Sequence, residues 1–426
     1  MKYAFINGII LDGTADMKAR VGEDIIVDGD RIVGVGKGLD TSDTHVIDLG
    51  GRYVMPGLIN MHVHLAGNGK VQKKQRDNAK LVRLITSTAL TRAIARKMVS
   101  SYAYLELMGG VTTIRTVGGI ADLDSKLRDK INSGKAEGPR ILAANTGISV
   151  PGGHMAGSVA VSAATIEDGI AQIDECKRQG VDLIKLMVTG GVLDAKAKGV
   201  PGELKMPPEM IAALCEHAHK LGFKVAAHVE SPEGVRAALR GGVDSIEHGA
   251  TPDDEIISLF KEKGAFLCTT ISPALPYALF DRSISNASEV EQYNGDIVFR
   301  GIIDCAKAAI ESGIPIALGN DVGCPWITQY DFWRELCYFH KFVGASSAYT
   351  LHLATENAAK LAGIGDETGS IKVGKCADMI VTSKDPLEDL SALRKLDYVM
   401  ARGKLYNFPR PKINKKVESE LDKFLK

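Results

Sequence analysis

Residues 54–65 read VMPGLINMHVHL, an apolar segment that ends in two histidines spaced two positions apart. Residues two apart on a β-strand point to the same face, so His62 and His64 are predicted to leave one side of the strand together. Neutral imidazoles are good ligands for Zn²⁺. The spacing therefore predicts a metal-binding pair at the end of a buried strand.

A second His-X-His pair behaves differently. His217 and His219 lie in residues 207–222, which have helical periodicity. Two positions on an α-helix differ by about 200°, so these side chains diverge. The sequence predicts separate surface histidines here and no shared site.

Seven further apolar segments follow the first one, and helical patterns fill the intervals between them. Such alternation is typical of parallel α/β folds. Eight parallel strands predict a (β/α)₈ TIM barrel, and no GxGxxG motif follows the first strand to suggest a dinucleotide site. The predicted strands are 58–65, 111–118, 140–147, 183–190, 224–230, 245–249, 266–271 and 314–321.

Both ends of the chain have a different texture, with short β-like runs separated by turn signals. Residues 1–57 and 366–412 are predicted to pair into a small β-sandwich domain, with a hairpin turn at Asp28–Arg31 (DGDR). The barrel is predicted to span 58–365, and 413–426 is predicted to be a C-terminal tail.

Composition excludes several classes of partner. The 426 residues carry 52 basic and 52 acidic side chains, and no dense basic block is interleaved with aromatic residues, which argues against nucleic acid. The basic stretch 70–76 is predicted to be a solvated loop. No signal sequence or membrane span is recognisable. The seven scattered cysteines favour reduced thiols and a cytoplasmic location.

Four other potential ligands occur at the ends of predicted strands: Lys185, His228, His248 and Asp321. The C-terminal ends of barrel strands meet at one rim, where the active site lies. Together with His62 and His64, these residues predict a two-metal hydrolytic centre.

Lys185 is unusual because it lies inside an apolar strand, DLIKLMVTGG. A buried ammonium is costly unless it is paired or its pKa falls. A neutral buried amine can react with CO₂ to give a carbamate whose two oxygens can bridge two metals. We therefore predict a carboxylated Lys185.

Several stretches together resemble the amidohydrolase superfamily, and within it the prolidase-like and imidazolonepropionase-related branch. They are VMPGLINMHVHL, VDLIKLMVTGG, VAAHVE, SIEHG, GND, and ATENAAKLAGI followed by GSIKVGKCADMIV. The resemblance covers nearly the whole chain and includes a sheet domain built from both termini.

The resemblance implies a binuclear centre that usually holds zinc. His62, His64 and Asp321 would bind the more buried ion, His228 and His248 would bind the outer one, and Lys185 would bridge both. A hydroxide between the metals would attack the carbonyl, and Asp321 would act as general acid and base. Relatives commonly form homo-oligomers.

Two positions bear on the substrate. His154, in the loop VPGGHMAG, occupies a place where relatives have a histidine that contacts the substrate carbonyl, although Met155 replaces a glycine of their motif. Glu230 stands where many prolidase-like relatives have a tyrosine that binds the substrate carboxylate. Glu230 would instead favour a substrate amine, or it would pair with a nearby Arg or Lys.

These features predict hydrolysis of the amide C–N bond of a small peptide or N-acyl amino acid. A cyclic amide, as in imidazolonepropionases, is the alternative. Deamination is less favoured, because Ser231 occupies the position of the glutamate that deaminases use and because Lys185 is present. A non-catalytic scaffold is disfavoured because no ligand is missing.

Overall fold

The computed structural model of the protein describes residues 1–71 and 77–425. Its strands, in chain order, are β1 (Lys2–Ile6), β2 (Ile9–Leu11), β3 (Ala19–Val21), β4 (Asp24–Asp28), β5 (Arg31–Gly36), β6 (His45–Asp48), β7 (Tyr53–Pro56), β8 (Leu58–Val63), β9 (Val111–Thr116), β10 (Arg140–Ala143), β11 (Gly147–Ser149), β12 (Ala160–Ser162), β13 (Leu183–Met187), β14 (Lys224–Val229), β15 (Ser245–His248), β16 (Phe266–Thr269), β17 (Ile316–Leu318), β18 (Met379–Thr382), β19 (Leu396–Ala401) and β20 (Lys404–Asn407).

The α-helices are α1 (Asn78–Thr86), α2 (Ala89–Met108), α3 (Leu123–Asn132), α4 (Ile166–Arg178), α5 (Pro208–Lys220), α6 (Pro232–Gly241), α7 (Asp254–Lys263), α8 (Leu275–Leu279), α9 (Arg282–Ser285), α10 (Glu289–Ser312), α11 (Phe332–Tyr338), α12 (Ser347–Leu353), α13 (Glu356–Leu361) and α14 (Lys415–Leu421). Short 3₁₀ turns occupy Val192–Asp194, Leu390–Arg394 and Asp422–Phe424, and a π-helical turn occupies Phe339–Val343.

The chain forms two compact units. The first comprises Met1–Asn60, Ala103–Ile114 and Gln329–Lys426, and the second comprises Met61–Tyr102 and Arg115–Thr328. The predicted domain boundaries at residues 57, 365 and 412 stay predictions.

The first unit contains two sheets, with strand orders β5-β4-β1-β6 and β20-β19-β18-β7-β2-β3. In the second of these sheets, β7 from the N-terminal region pairs antiparallel with β18 from the C-terminal region. The predicted hairpin is confirmed, because Asp28 pairs with Arg31 across a two-residue turn between β4 and β5. A buried cluster that includes Phe5, Val27, Val54 and Met379 draws on both sheets.

The second unit contains a seven-stranded sheet in the order β12-β11-β13-β14-β15-β16-β17, and every pairing in it is parallel. A three-stranded sheet has the order β10-β9-β8. Val63, the last residue of β8, forms a parallel bridge with Val322, which follows β17. Beside it, the Asp321 N–H donates to the His62 carbonyl at 3.0 Å. This α/β arrangement with parallel strands is consistent with a TIM barrel.

All eight predicted strands are present, and each ends before its predicted limit. The predicted third strand, 140–147, is wrong in its C-terminal part, because β10 ends at Ala143 and a separate strand, β11, begins at Gly147. Asn145 lies in the gap with a left-handed φ of 56°. Its buried side chain accepts from the Ser125 N–H at 3.0 Å and donates to Ser125 Oγ and Gln179 Oε1. A side chain that binds the backbone in this way competes with strand pairing.

The helix predicted within residues 207–222 is confirmed, because α5 spans Pro208–Lys220. The α6 helix begins with Ser231, whose Oγ accepts from the Gly234 N–H at 3.2 Å, and ends at Gly242 with a left-handed φ of 94°. Gly222, two residues after the end of α5, has a left-handed φ of 85°.

Among the described residues, no helix combines the length and the apolar composition needed to cross a bilayer. Most of the basic stretch 70–76, predicted to be a solvated loop, lies outside the described residues.

We predict that Asn145→Ala destabilises the protein. The substitution removes the three hydrogen bonds of the Asn145 side chain with Ser125 and Gln179. Their buried polar groups are then unsatisfied, which lowers the free energy of unfolding by about 1–3 kcal/mol. The free energy of unfolding from chemical denaturation measures this loss. Asn286→Ala is the matched control, because Asn286 shares the left-handed backbone, with a φ of 59°, but is exposed. Equal losses in both variants would contradict a role for the side chain.

Candidate metal centre

The six predicted ligands all belong to the second unit, and all except Lys185 lie at or just beyond the C-terminal ends of parallel strands; Lys185 is the middle residue of β13. His62 belongs to β8, Lys185 to β13, His228 to β14 and His248 to β15. His64 and Asp321 follow the ends of β8 and β17. Five of the six side chains are buried, and His64 is nearly so, with 14% of its side chain exposed.

The four histidine rings contact one another in sequence. Ring centroids are 5.3 Å apart for His64 and His62, 4.8 Å for His62 and His248, and 4.6 Å for His248 and His228. The structure therefore brings together histidines from three strands that are far apart in sequence, as parallel strand ends are expected to do.

Each ring has one nitrogen next to a protein group. Nδ1 of His62 lies 2.7 Å from Glu247 Oε2, Nδ1 of His64 lies 2.7 Å from the Gly118 carbonyl, and Nδ1 of His248 lies 2.7 Å from Thr270 Oγ1. In His228 it is Nε2 that lies 3.3 Å from the Gly190 carbonyl. Such contacts set the ring orientation and the tautomer of metal-binding histidines.

The contacts of Asp321 decide how the centre can be filled. Its Oδ1 lies 3.1 Å from His64 Nε2 and 3.5 Å from His62 Nε2. Because Nδ1 of both rings faces a group that can only accept a hydrogen bond, the neutral imidazoles donate through Nδ1 and carry their lone pairs on Nε2. Burial lowers the pKa of His62 to about 4, which keeps that ring neutral. Two lone pairs therefore face a carboxylate oxygen.

Burial favours the neutral acid of Asp321, and positive charge on His62 and then His64 would lower its pKa well below the usual range. With both rings neutral, a bound cation would take that role and keep the carboxylate ionised. Among the described residues, no donor forms a hydrogen bond with its Oδ1. Converging lone pairs and an anionic oxygen repel one another, so this donor set fits a divalent cation that binds all three atoms.

The backbone around Asp321 brings its strand close to β8. Gly319 lies so near His62 that a Cβ added there would be 2.4 Å from the His62 Cβ. Asp321 has a φ of 52°, a left-handed conformation that Asp tolerates better than most residues. The GND segment therefore requires glycine for close approach, and it turns the carboxylate toward the histidines.

Lys185 is enclosed in the same cluster. Its side chain is 1% exposed, and within the described part of the chain its Nζ has no hydrogen-bond partner. Burial, assisted by the charge of Arg115, lowers the pKa of Lys185 to about 8, against the opposing effect of Glu247. An unpaired buried amine is costly, so the residue fits a modified, anionic form better than a bare ammonium.

His154 and Glu230 both lie beside this cluster. The His154 ring stacks on His228, with centroids 4.1 Å apart and planes inclined by 4°, and its Nδ1 lies 2.6 Å from Asp194 Oδ2. Glu230 Oε2 accepts from the Val192 N–H at 3.0 Å. Burial, followed by the charges of Asp321 and Asp194, raises the pKa of Glu230 to about 8.

Two other sequence expectations have clear outcomes. His217 and His219 diverge on α5 as predicted, because they pair separately with Asp174 and Asp244, each at 2.8 Å. Cys324 is one of the seven cysteines predicted to be reduced thiols, and its Sγ donates to Asp321 Oδ2 at 3.4 Å.

The comparisons with known proteins agree with this geometry. A model of the amidohydrolase family matches residues 53–406, which is most of the chain. The chain belongs to the amidohydrolase family. The predicted resemblance is therefore confirmed.

Solved structures similar to this amidohydrolase include two from prolidase-like proteins. A candidate prolidase from Bifidobacterium longum is 34% identical, with a TM-score of 0.87 over 99% of this chain and 98% of that one. A Xaa-Pro dipeptidase with methionine bound in its active site is 31% identical, with a TM-score of 0.82 over 96% of this chain and all of that one.

Among curated proteins, ochratoxinase from Aspergillus niger is 26% identical over 401 residues, covering 87% of this chain and 78% of its own. Imidazolonepropionase from Thermoplasma acidophilum is 25% identical over 427 residues, covering 94% of this chain and 92% of its own. This amidohydrolase is therefore a hydrolytic enzyme, and its relatives support amide-bond hydrolysis.

Sequence reasoning missed an ion pair that supports the centre of this amidohydrolase. Arg115 Nη2 donates to both oxygens of Glu247, at 2.7 and 2.8 Å, and Glu247 also accepts from Ser245 Oγ at 2.7 Å. Burial would raise the pKa of Glu247, but Arg115 and then His62 keep it well below its usual range. Opposite charges inside two apolar strands were the available signal, the same one that singled out Lys185.

We predict that Glu247→Gln weakens metal binding by about 10- to 100-fold, because partners of metal-binding histidines have effects of this size. The amide removes the anion that orients His62 and leaves Arg115 buried without its counter-charge. Metal content after dialysis against a graded chelator series measures the effect. Asp174→Asn, which alters a histidine–carboxylate pair outside the centre, is the control, and equal metal retention in both variants would refute the prediction.

Proposed function

We propose that this amidohydrolase is a two-metal enzyme that cleaves the amide C–N bond of a small peptide or N-acyl amino acid. The observation that carries the proposal is the convergence of His62 Nε2 and His64 Nε2 on Asp321 Oδ1, at 3.5 and 3.1 Å. Lone pairs and an anionic oxygen approach one another in this way when they share a cation.

The donor set supports two ions, and imidazole nitrogens with carboxylate oxygens favour Zn²⁺. His62, His64 and Asp321 would hold the inner ion. His228 and His248, whose rings lie 4.6 Å apart, would hold the outer one. Lys185 would lie between the two as a carbamate.

The carbamate would form by attack of the neutral Lys185 amine on CO₂. A new N–C bond forms, one C=O π bond becomes a carboxylate, and the amine loses a proton to solvent. The product has one negative charge and two oxygens. It would replace the unpartnered, buried Nζ with an anion suited to two cations.

When bound, the ions would supply a water of lowered pKa as the nucleophile and polarise the substrate carbonyl. Asp321 would accept the proton of that water and pass it to the leaving nitrogen. His154, stacked on His228 and held by Asp194 through Nδ1, would in its protonated form donate a hydrogen bond from Nε2 to the carbonyl oxygen. Such a donor stabilises the charge that develops in acyl transfer.

The same proposal includes the architecture that would position these groups. The Val63–Val322 bridge supports a sheet that closes into a (β/α)₈ barrel. The cluster shared by the two sheets of the first unit supports a β-sandwich built from both termini. A cytoplasmic location and assembly into a homo-oligomer stay predictions.

A panel of amide substrates tests the function directly. We expect metal-loaded enzyme to hydrolyse Xaa-Pro or Xaa-Arg/Lys dipeptides or N-acyl amino acids. Chelation should abolish this activity, and Zn²⁺ should restore it better than Mg²⁺ because the donors include several imidazoles. Release of free amino acid measures turnover. Hydrolysis of an imidazolone ring alone would favour the cyclic amide alternative, which the imidazolonepropionase relative supports. Ammonia release alone would indicate a deaminase.

Lys185→Ala tests the bridging role. We expect it to weaken the binding of at least one metal equivalent by about 100-fold or more, the upper end of the range known for groups that only orient ligands. Activity should fall with metal content. Short carboxylic acids such as acetate should restore part of both, since they can occupy the space of the carbamate.

Lys224→Ala is the matched control for Lys185→Ala. Lys224 also lies on a parallel strand, but it is exposed and pairs with Asp244. Wild-type metal content in Lys185→Ala, or equal losses in the two variants, would eliminate a bridging carbamate.

A further inference from the structure

Glu230 directly follows β14, the strand that carries His228. It follows His228 by two positions, so both side chains leave the same face. Its backbone N–H donates to Thr189 Oγ1 at 3.1 Å, and its Oε2 accepts from the Val192 N–H at 3.0 Å. These two contacts hold the carboxylate in one orientation.

That orientation places Glu230 at ligand distance from the outer histidines. One ligand atom each from His228, Glu230 and His248 all lie within 4.8 Å of one another. His62, His248 and Asp321 meet the same criterion. Glu230 therefore relates to the outer pair of histidines much as Asp321 relates to the inner residues.

The surroundings of Glu230 disfavour its charged form. Two other carboxylates, Asp321 and Asp194, lie close enough to act on it electrostatically. Among the described residues, no Lys, Arg or His forms an ion pair with Glu230, and His154 is already paired with Asp194. Pairing with a nearby Arg or Lys, one of the two alternatives for Glu230, is therefore not observed among the described residues. A cation from outside the chain would stabilise the carboxylate form of Glu230.

A substrate amine is a poor candidate for that cation. An ammonium at Glu230 would lie next to the divalent ion held by His228 and His248, and like charges at such distances repel strongly. The ion itself meets no such obstacle. Without Glu230, the unshared ligands of the outer ion would be only the neutral rings of His228 and His248, whereas the inner ion has the carboxylate of Asp321.

We propose that Glu230 is a ligand of the outer metal ion, together with His228 and His248, and not a substrate contact. Each ion would then have two imidazoles and one carboxylate of its own. This inference rests on the proposed two-metal function. It also implies that substrate recognition depends on other rim residues.

Competition with a chelator tests the inference. Wild-type protein loaded with Zn²⁺ should release two equivalents with separate affinities. In Glu230→Gln, we expect one equivalent to bind at least about 10-fold more weakly, and Glu230→Ala should lose it more completely because an amide oxygen can still coordinate weakly. With Co²⁺ as the probe, the visible absorption bands of one ion should shift in both variants.

Asp194→Asn is the matched control, because it neutralises a neighbouring carboxylate that holds His154. It should leave both equivalents in place. Unchanged metal affinity in Glu230→Ala, with an altered KM only, would overturn the inference while leaving the two-metal function intact. Equal weakening in Asp194→Asn would also overturn it, since a general charge effect would then suffice. Fewer than two equivalents in the wild type would instead refute the proposed function. Thermal unfolding of the metal-free variants confirms that each one folds.

Discussion

The repulsion between two imidazole lone pairs and the Asp321 carboxylate is the constraint on which the rest of this structure depends. His62 and His64 turn their Nε2 atoms toward Asp321 Oδ1 because Glu247 and the Gly118 carbonyl bind their Nδ1 atoms. The chain thus spends buried hydrogen bonds on holding together groups that repel one another without a cation. A protein selected for stability alone would gain nothing from this arrangement, whereas a metal enzyme requires it.

The buried charged residues of the second unit surround the contact between Asp321 and the two histidines. Arg115 compensates Glu247, and Glu247 orients His62. Lys185 has no such partner among the described residues, and Glu230 has only a backbone N–H. The compensated charges position the centre, and the uncompensated ones are those that the proposed carbamate and the outer ion would neutralise. Charge balance thus separates supporting residues from reacting ones.

The local structure of short sequence motifs was predictable from the sequence. Contacts between residues that lie far apart in the sequence were not. The His62–His64 spacing and the DGDR hairpin are short-range features, and each predicts its local structure. The break in the third strand was missed because Asn145 gains its hydrogen bonds from Ser125 and Gln179, which lie 20 and 34 positions away. Glu247 was missed for the same reason, since its partner Arg115 is 132 residues distant.

The sequence by itself determined the strand and helix pattern, the family and the identity of the candidate ligands, because periodicity and residue chemistry are local properties. Only the tertiary structure decided which ring nitrogen of each histidine faces the centre, that Lys185 lacks a partner and that Glu230 lies by the outer histidines. These outcomes depend on the register of neighbouring strands and on close backbone contacts such as that of Gly319 with His62. A linear sequence contains no direct record of such distances.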